Sequence, residues 1–455
     1  MVAATKKTLT EGSISRALFG MAVPMTVGLL ATMSFNIVDT YFVSKLGDAA
    51  LAALSFPIPV IMFVLSLAIG LGAGTSSVVA RAAGAHDEHA VKVLITDSVS
   101  LSWILSTLLM ILGLFTINPL FGLLGADEFV LPLIYDYMLI WYFSAPFLLV
   151  PMVAMAAFRA LGNTRLQANI MIAMAVANAI LDPILIFGWW IFPRLEIEGA
   201  AWASLIVRVI SLIAMYYYMG VKNSLLVNPF NLQRAKKSWK SILHVGIPAS
   251  ATNMIIPASG AVLIWLIAHN GSEAVAGFGA ATRVEAVALI CFYALSAVIG
   301  PFVGQNLSAG HFNRVSNSQN ISAKFCCAIG FGLALLMAIF CEQIGRIFSS
   351  DPRVIEITQF YLIFVPMSYF AYGVVMVVNA SFNGIGKPLP GVLLSSARVI
   401  FFLFPLAWLG NSLYGVKGIF IAIAAANILT GAWAFLWIKK VVKRLYNAPS
   451  LDWKK

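Results

Sequence analysis

Charge is scarce in this chain. Across 455 residues, Asp, Glu, Lys and Arg together reach 10%, with only 18 acids, whereas soluble domains carry about 25% charged residues. An apolar share of 61%, against about 45–50% in soluble proteins, excludes the same class. Long polar stretches are missing too: the longest in the interior runs from Lys222 to Lys240. No nucleotide-binding domain fits between the apolar runs, so ATP is not expected to drive anything here. Cysteine is limited to Cys291, Cys326, Cys327 and Cys341, all in apolar segments and without metal-ligand spacing. They read as small buried side chains, and neither a metal site nor a cofactor is expected. His86-Asp87-Glu88-His89 has metal-like spacing but reads as a solvated loop. No convincing cleavage site follows the polar Met1 to Gly12 stretch, and the first apolar run is too long for a signal-peptide core. That run is expected to remain as a span.

What the chain has in quantity is apolar runs of membrane-crossing length. Splitting them at polar or Gly/Pro punctuation gives about twelve, from 15–44 to 415–438, each near or above the ~20 residues a helix needs to cross. The expected fold class is an all-α integral membrane protein. Lys and Arg count 21 in the termini and even-numbered loops against 5 in the odd-numbered loops, with Arg208, Arg283 and Arg398 inside spans. By the positive-inside rule both termini are expected in the cytoplasm, in a multi-pass cell (inner) membrane protein. The net charge of +11 is thus a topology signal, and no nucleic-acid partner is expected.

The chain also repeats at a spacing near 224 residues. Gly20 to Pro24 corresponds to Leu243 to Pro248, Lys45 to Ala52 to His269 to Ala276, and Phe158 to Asn163 to Phe382 to Lys387. Gly74 and Gly84 fit Gly300 and Gly310 if a two-residue gap is allowed. Six spans per repeat return the chain to its starting side, so the halves share orientation and are related by a pseudo-two-fold axis along the membrane normal. The expected layout is a 1–14 tail, an N-lobe over 15–221, a linker over 222–239, a C-lobe over 240–440 and a 441–455 tail. Gly70-x-x-x-Gly74 and Gly300-x-x-x-Gly304 fit close helix packing.

Against this background a few polar residues stand out. Asp39 falls inside the first apolar run, where a charge costs roughly 2.5–3.5 kcal/mol on insertion scales. Asp182 lies in the fifth, at the same expected distance from the outer end, about 9 Å at 1.5 Å per residue. Asn178 stands one helical turn before Asp182 on the same face, and Pro183 frees the carbonyl of Ala179. The repeat-related positions 263 and 406 are both leucine, so the polar pocket belongs to the first lobe alone. Burial and a nearby like charge both favour the neutral carboxyl, so the pair can bind and release protons. Tyr137, Asn36, Ser204 and Glu285 are candidates for a substrate pocket, with Tyr41 offering a further hydroxyl. Glu285 is also placed to pair with Arg398, while Asp97 and Asp136 lie near span ends where water is within reach.

Two six-span halves, Pro24 and Asp39 on the first span, Asn178 and Asp182-Pro183 on the fifth, and Gly162 and Gly386 closing the fourth and tenth resemble the multidrug and toxic compound extrusion (MATE) family, DinF-like branch. The resemblance covers Ile14 to about Lys440. It implies antiport: cationic or aromatic drugs leave the cytoplasm by alternating access while protons, or sodium, enter. It further implies that Asp39, Asp182 and Asn178 form the coupling-ion site and that the first helix bends near Pro24. Span 7 lacks the acids that some branches use for sodium, which favours protons. A lipid-linked sugar flippase of the same superfamily and an intramembrane acid–base enzyme are the alternatives. The lipid bilayer is the expected surrounding, and a monomer the expected state.

Overall fold

The computed structural model describes residues 9–47, 53–127, 129–189, 192–228 and 231–447. The helices are α1 (Ile14–Ser44), α2 (Ile58–Gly84), α3 (Glu88–Leu123), α4 (Val130–Phe143), α5 (Ala145–Ala160), α6 (Thr164–Phe187) and α7 (Glu196–Tyr216). After them come α8 (Leu232–Ala268), α9 (Ser272–Ala288), α10 (Ile290–Ser308), α11 (Phe312–Phe348), α12 (Pro352–Phe364), α13 (Tyr369–Ile385), α14 (Leu389–Ala397) and α15 (Phe404–Asn447). No strand occurs among the described residues. A bilayer leaves no water to satisfy open backbone groups, and the helix satisfies them internally.

Among the described residues ten helical stretches are long and apolar enough to cross a membrane, or eleven if α4 and α5, bent by 43°, count as one. The longest, Leu389–Asn447, is broken by the non-helical backbone of Tyr414 and Gly415. Divided there, it holds two crossings, which accounts for the twelve expected runs. The linker expected over 222–239 is already helical from Leu232, and the matched residues 48–52 lie outside the described residues.

Contacts divide the chain into two units. One holds Val23 to Ser250; the other holds Leu9 to Ala22 and everything described from Ala251 onward. The division falls inside α1, one residue before Pro24, and inside α8.

Helix starts carry the repeat more regularly than the sequence match did. Asp87 caps α3 by accepting a hydrogen bond from the Ala90 amide at 2.9 Å. The corresponding corner before α11 falls at His311, 224 residues later. The left-handed corner residue just before is His86 (φ 56°) in the first half and Gly310 (φ 76°) in the second. Gly310 therefore answers His86, not Gly84, and the two-residue gap disappears. Gly162 and Gly386 hold left-handed corners at φ 82° and 81°, where a side chain is costly.

Within the first unit, α2 lies against α8 with no room between. A Cβ on Gly70 would stand 2.6 Å from the Gly246 carbonyl, and one on Gly74 would stand 2.3 Å from that of Ile242. The same unit contains a polar clamp. Asp97 on α3 is fully buried rather than open to water. Its carboxylate accepts hydrogen bonds from Arg234 at 3.0 Å and Ser238 at 2.7 Å, and its carbonyl accepts one from the Trp239 indole at 2.9 Å. The start of α8 is thereby fixed to α3. Asp136, by contrast, is half-buried on α4.

The second unit has its own strap. Arg314 donates to the carbonyls of Leu9, Glu11 and Gly12, and Asn306 also donates to that of Leu9. Leu9 and Thr10 are buried, so this part of the polar N-terminal stretch is structural and not a free tail.

Asp97→Ala removes the carboxylate acceptor of Arg234 and Ser238, leaving them the Asn228 and Arg234 carbonyls, a loss of about 1–3 kcal/mol. We expect a lower thermal transition for the purified variant in detergent, with Asp97→Asn losing less because its amide oxygen still accepts from Ser238. Equal transitions for wild type and Asp97→Ala would refute the clamp.

Candidate functional site

Four helices of the first unit bring the polar residues together. α6 supplies Asn178 and Asp182, both fully buried. The Asn178 amide donates to Asp182 Oδ1 at 2.9 Å, as their one-turn spacing on a helix allows. Pro183 sits inside α6 immediately afterwards and has no amide hydrogen for the helix ladder. α1 supplies Asp39, which lies within electrostatic reach of Asp182. α4 supplies Tyr137, a buried phenol within reach of both carboxyls.

α7 supplies Arg208, which the sequence left as an unassigned intramembrane charge. Its guanidinium interacts with Asp39 and Tyr137, but it makes no ion pair within 4.0 Å to either carboxylate. One of its nitrogens donates instead to the hydroxyl of Ser144, at the α4–α5 bend. The cation also rests 5.6 Å from the ring centre of Trp141. The signal for Arg208 was present: an unpaired arginine in the same lobe as two unpaired acids. Ser144 and Trp141 carried no such signal, because their part comes only from where α4 turns.

The consequence is a shortage of donors. Asp39 Oδ1, Asp182 Oδ2 and Asn178 Oδ1 are all buried and have no hydrogen-bond partner in the protein. A buried acceptor left alone costs about 1–3 kcal/mol, and more if charged. Three such oxygens from two helices suit something that brings a donor or a positive charge, whether a proton on a carboxyl or a small cation. Among the described residues no cluster of three His, Cys, Asp or Glu side chains suits a metal ion.

The remaining candidates distribute differently. Ser204 is buried on α7, and Asn36 is exposed on α1. Tyr41 is 55% exposed, with the Lys45 ammonium 5.0 Å from its ring centre, so it does not join the cluster. Glu285 belongs to the second unit, where the expected ion pair with Arg398 is not formed. Arg398 donates to Asn427 at 3.0 Å and lies over the Tyr372 ring at 4.9 Å. Glu285 accepts the phenol hydrogen of Tyr361. A phenol and an amide from neighbouring helices meet these two charges first, which spacing along the chain could not show.

A many-spanned helical bundle with uncompensated carboxyls buried in it has the form of a membrane transporter rather than an enzyme. The MatE family profile matches residues 24–184 and 248–409, two stretches separated by the repeat spacing and beginning at Pro24 and Pro248. The chain belongs to this family, the MATE transporters. It is 39% identical over 424 residues to a protein of Shewanella oneidensis named FAD transporter, covering 93% of this chain and 94% of that one. It is 24% identical over 439 residues to the multidrug export protein MepA of Staphylococcus aureus, covering 96% of both. Among solved structures, that of the Vibrio cholerae MATE transporter VcmN in the bent form has a TM-score of 0.91 at 30% identity, covering 97% of this chain and all of that one.

Trp141 lies against Arg208, and Arg208 is within electrostatic reach of Asp39, so the indole is placed to report on the acid. We expect a pH-dependent change in tryptophan emission in the wild type that is lost in Trp141→Phe and strongly reduced in Asp39→Asn. An unchanged titration in both variants would show that the three groups are not linked.

Proposed function

We propose that this chain is a proton-coupled antiporter that exports cationic and aromatic compounds from the cytoplasm by alternating access, with both termini cytoplasmic in the cell inner membrane. The observation that carries the reading is the set of three donorless acceptors on Asp39, Asp182 and Asn178. A proton entering from outside supplies the missing donor. Its release toward the cytoplasm restores two carboxylates that share one apolar enclosure and repel each other. Tyr137 and Arg208 set the field around the pair. Arg208, engaged with Ser144 and Trp141, moderates Asp39 without forming an ion pair with it.

The energetics permit this exchange. A tenfold cargo gradient requires about 1.4 kcal/mol. One proton moving down about 100 mV and one pH unit releases roughly 2.3 and 1.4 kcal/mol respectively. One or two protons therefore suffice for hundredfold depletion. Pro24 is the natural place for the first helix to flex between states, since its ring interrupts the hydrogen-bond ladder. Sodium is the competing coupling ion, because the three acceptors are all oxygens.

For the cargo, a second reading has a specific observation behind it. The relative at 39% identity is named FAD transporter, so flavin nucleotides are the aromatic cargo to test beside drugs. The flippase alternative calls for a basic cavity, and the arginine of this cluster is turned to a serine and an indole. Glu285, Asn36 and Ser204 stay as candidates for cargo contact.

In cells lacking their own exporters, expression is expected to lower ethidium accumulation or raise flavin in the medium. Asp39→Asn and Asp182→Asn, present in the membrane at wild-type amounts, are expected to reduce either activity by about tenfold or more, a loss of ~1.4 kcal/mol. Collapse of efflux by a protonophore at fixed sodium supports protons. Efflux that persists under the protonophore and follows the sodium gradient would overturn that assignment.

A further inference from the structure

A groove of about 630 Å³ opens between α11 and α15 in the second unit. Its walls include Asn320, Lys324, Ala328 and Phe331 from α11, and Phe435 from α15. The spacing of the α11 residues puts them on one helix face. Along that face the chemistry changes in one direction, from an amide and an ammonium to a methyl and an aromatic ring. From Lys324 to Phe331 the distance is about 10 Å at 1.5 Å per residue, within the ~15 Å depth of one leaflet's hydrocarbon.

The two helices run antiparallel here. The ring of Phe312, at the start of α11, meets that of Tyr446, near the end of α15, at 6.4 Å. Lys324 and Phe435 each lie twelve residues from those helix ends and so share one depth. One turn beyond Phe435, the Lys439 ammonium rests 4.5 Å from its ring centre, adding a second cation at the polar mouth. Lys440, Lys443 and Arg444 follow.

Among the described residues no carboxylate pairs with these charges. The sequence carries no acid from 286 to 341 or from 357 to 451, and neither Lys324 nor Lys439 has an ion pair among the described residues. We propose that this groove is a binding site for an anionic phospholipid. Its phosphate lies between Lys324 and Lys439, Asn320 donates to a headgroup oxygen, and an acyl chain runs down past Ala328 against Phe331 and Phe435. Basic pockets between spanning helices suit such headgroups, and each surface cation contributes about 1 kcal/mol. The site is separate from the proton–cargo cluster and does not depend on the transport reading.

The test is native mass spectrometry of the purified full chain with equal amounts of dioleoyl phosphatidylglycerol and dioleoyl phosphatidylcholine. The wild type is expected to retain the glycerol lipid preferentially. Joint replacement Lys324→Ala and Lys439→Ala is expected to cut that preference about tenfold or more, while Lys387→Ala leaves it unchanged. Ala328→Trp, which fills the groove, is expected to reduce retention of both lipids. The proposal is overturned if the double variant keeps its preference or if Lys387→Ala loses as much. Displacement of the lipid by millimolar inorganic phosphate would likewise overturn it, by making the site one for simple anions.

Discussion

The constraint on which this molecule turns is the cost of leaving carboxyl oxygens in an apolar interior without enough donors. Asp182 receives one hydrogen bond, from Asn178, and its second oxygen receives none, as is also true of Asp39 Oδ1. A fixed arginine salt bridge would relieve that cost permanently and leave nothing to switch. Instead the nearby guanidinium of Arg208 is engaged by the Ser144 hydroxyl and the Trp141 ring. Asp39 and Asp182 are thus left without an arginine ion pair. The second unit treats its own acid differently, covering Glu285 with the phenol of Tyr361 and giving Arg398 to Asn427. The two repeats thus carry different polar interiors, and Leu263 and Leu406 stand where the first has its aspartates.

A site held this close to imbalance requires helices that keep their positions. Apolar burial alone specifies them weakly, since lipid tails are as apolar as leucine and helix association in a membrane relies on close packing and polar contacts. The structure uses both. Bare glycine faces let α2 approach the backbone of α8, while Asp97 and Arg314 tie chain segments to neighbouring helices with several hydrogen bonds each.

Much of this was legible beforehand, and particular residues show why. Asp39 and Asp182 declared themselves because acids inside apolar runs are expensive, and Asn178 followed from the one-turn spacing. Arg208 gave a signal that pointed to no partner. Asp97 was misread, since distance from a span end measures depth and says nothing of what faces the side chain. The gap placed between Gly74 and Gly300 was an artefact of aligning glycines. Helix caps mark equivalent positions better, because Asp87 and His311 occupy the same corner with different side chains.

Hydrophobic run length, basic-residue placement and the 224-residue repeat are properties of the chain itself. They determined the helical class, the number of crossings and the lobe in which the buried acids would be found, because solvent transfer acts on each segment before any segment meets another. Which groups touch was decided only on packing. The rotational phase of each helix sets whether an arginine meets a carboxylate, a serine or a ring, and whether α4 turns at Ser144 in time to receive it. That phase depends on neighbours far away in sequence, so the pairing of Arg208 and the separation of Glu285 from Arg398 exist only in three dimensions.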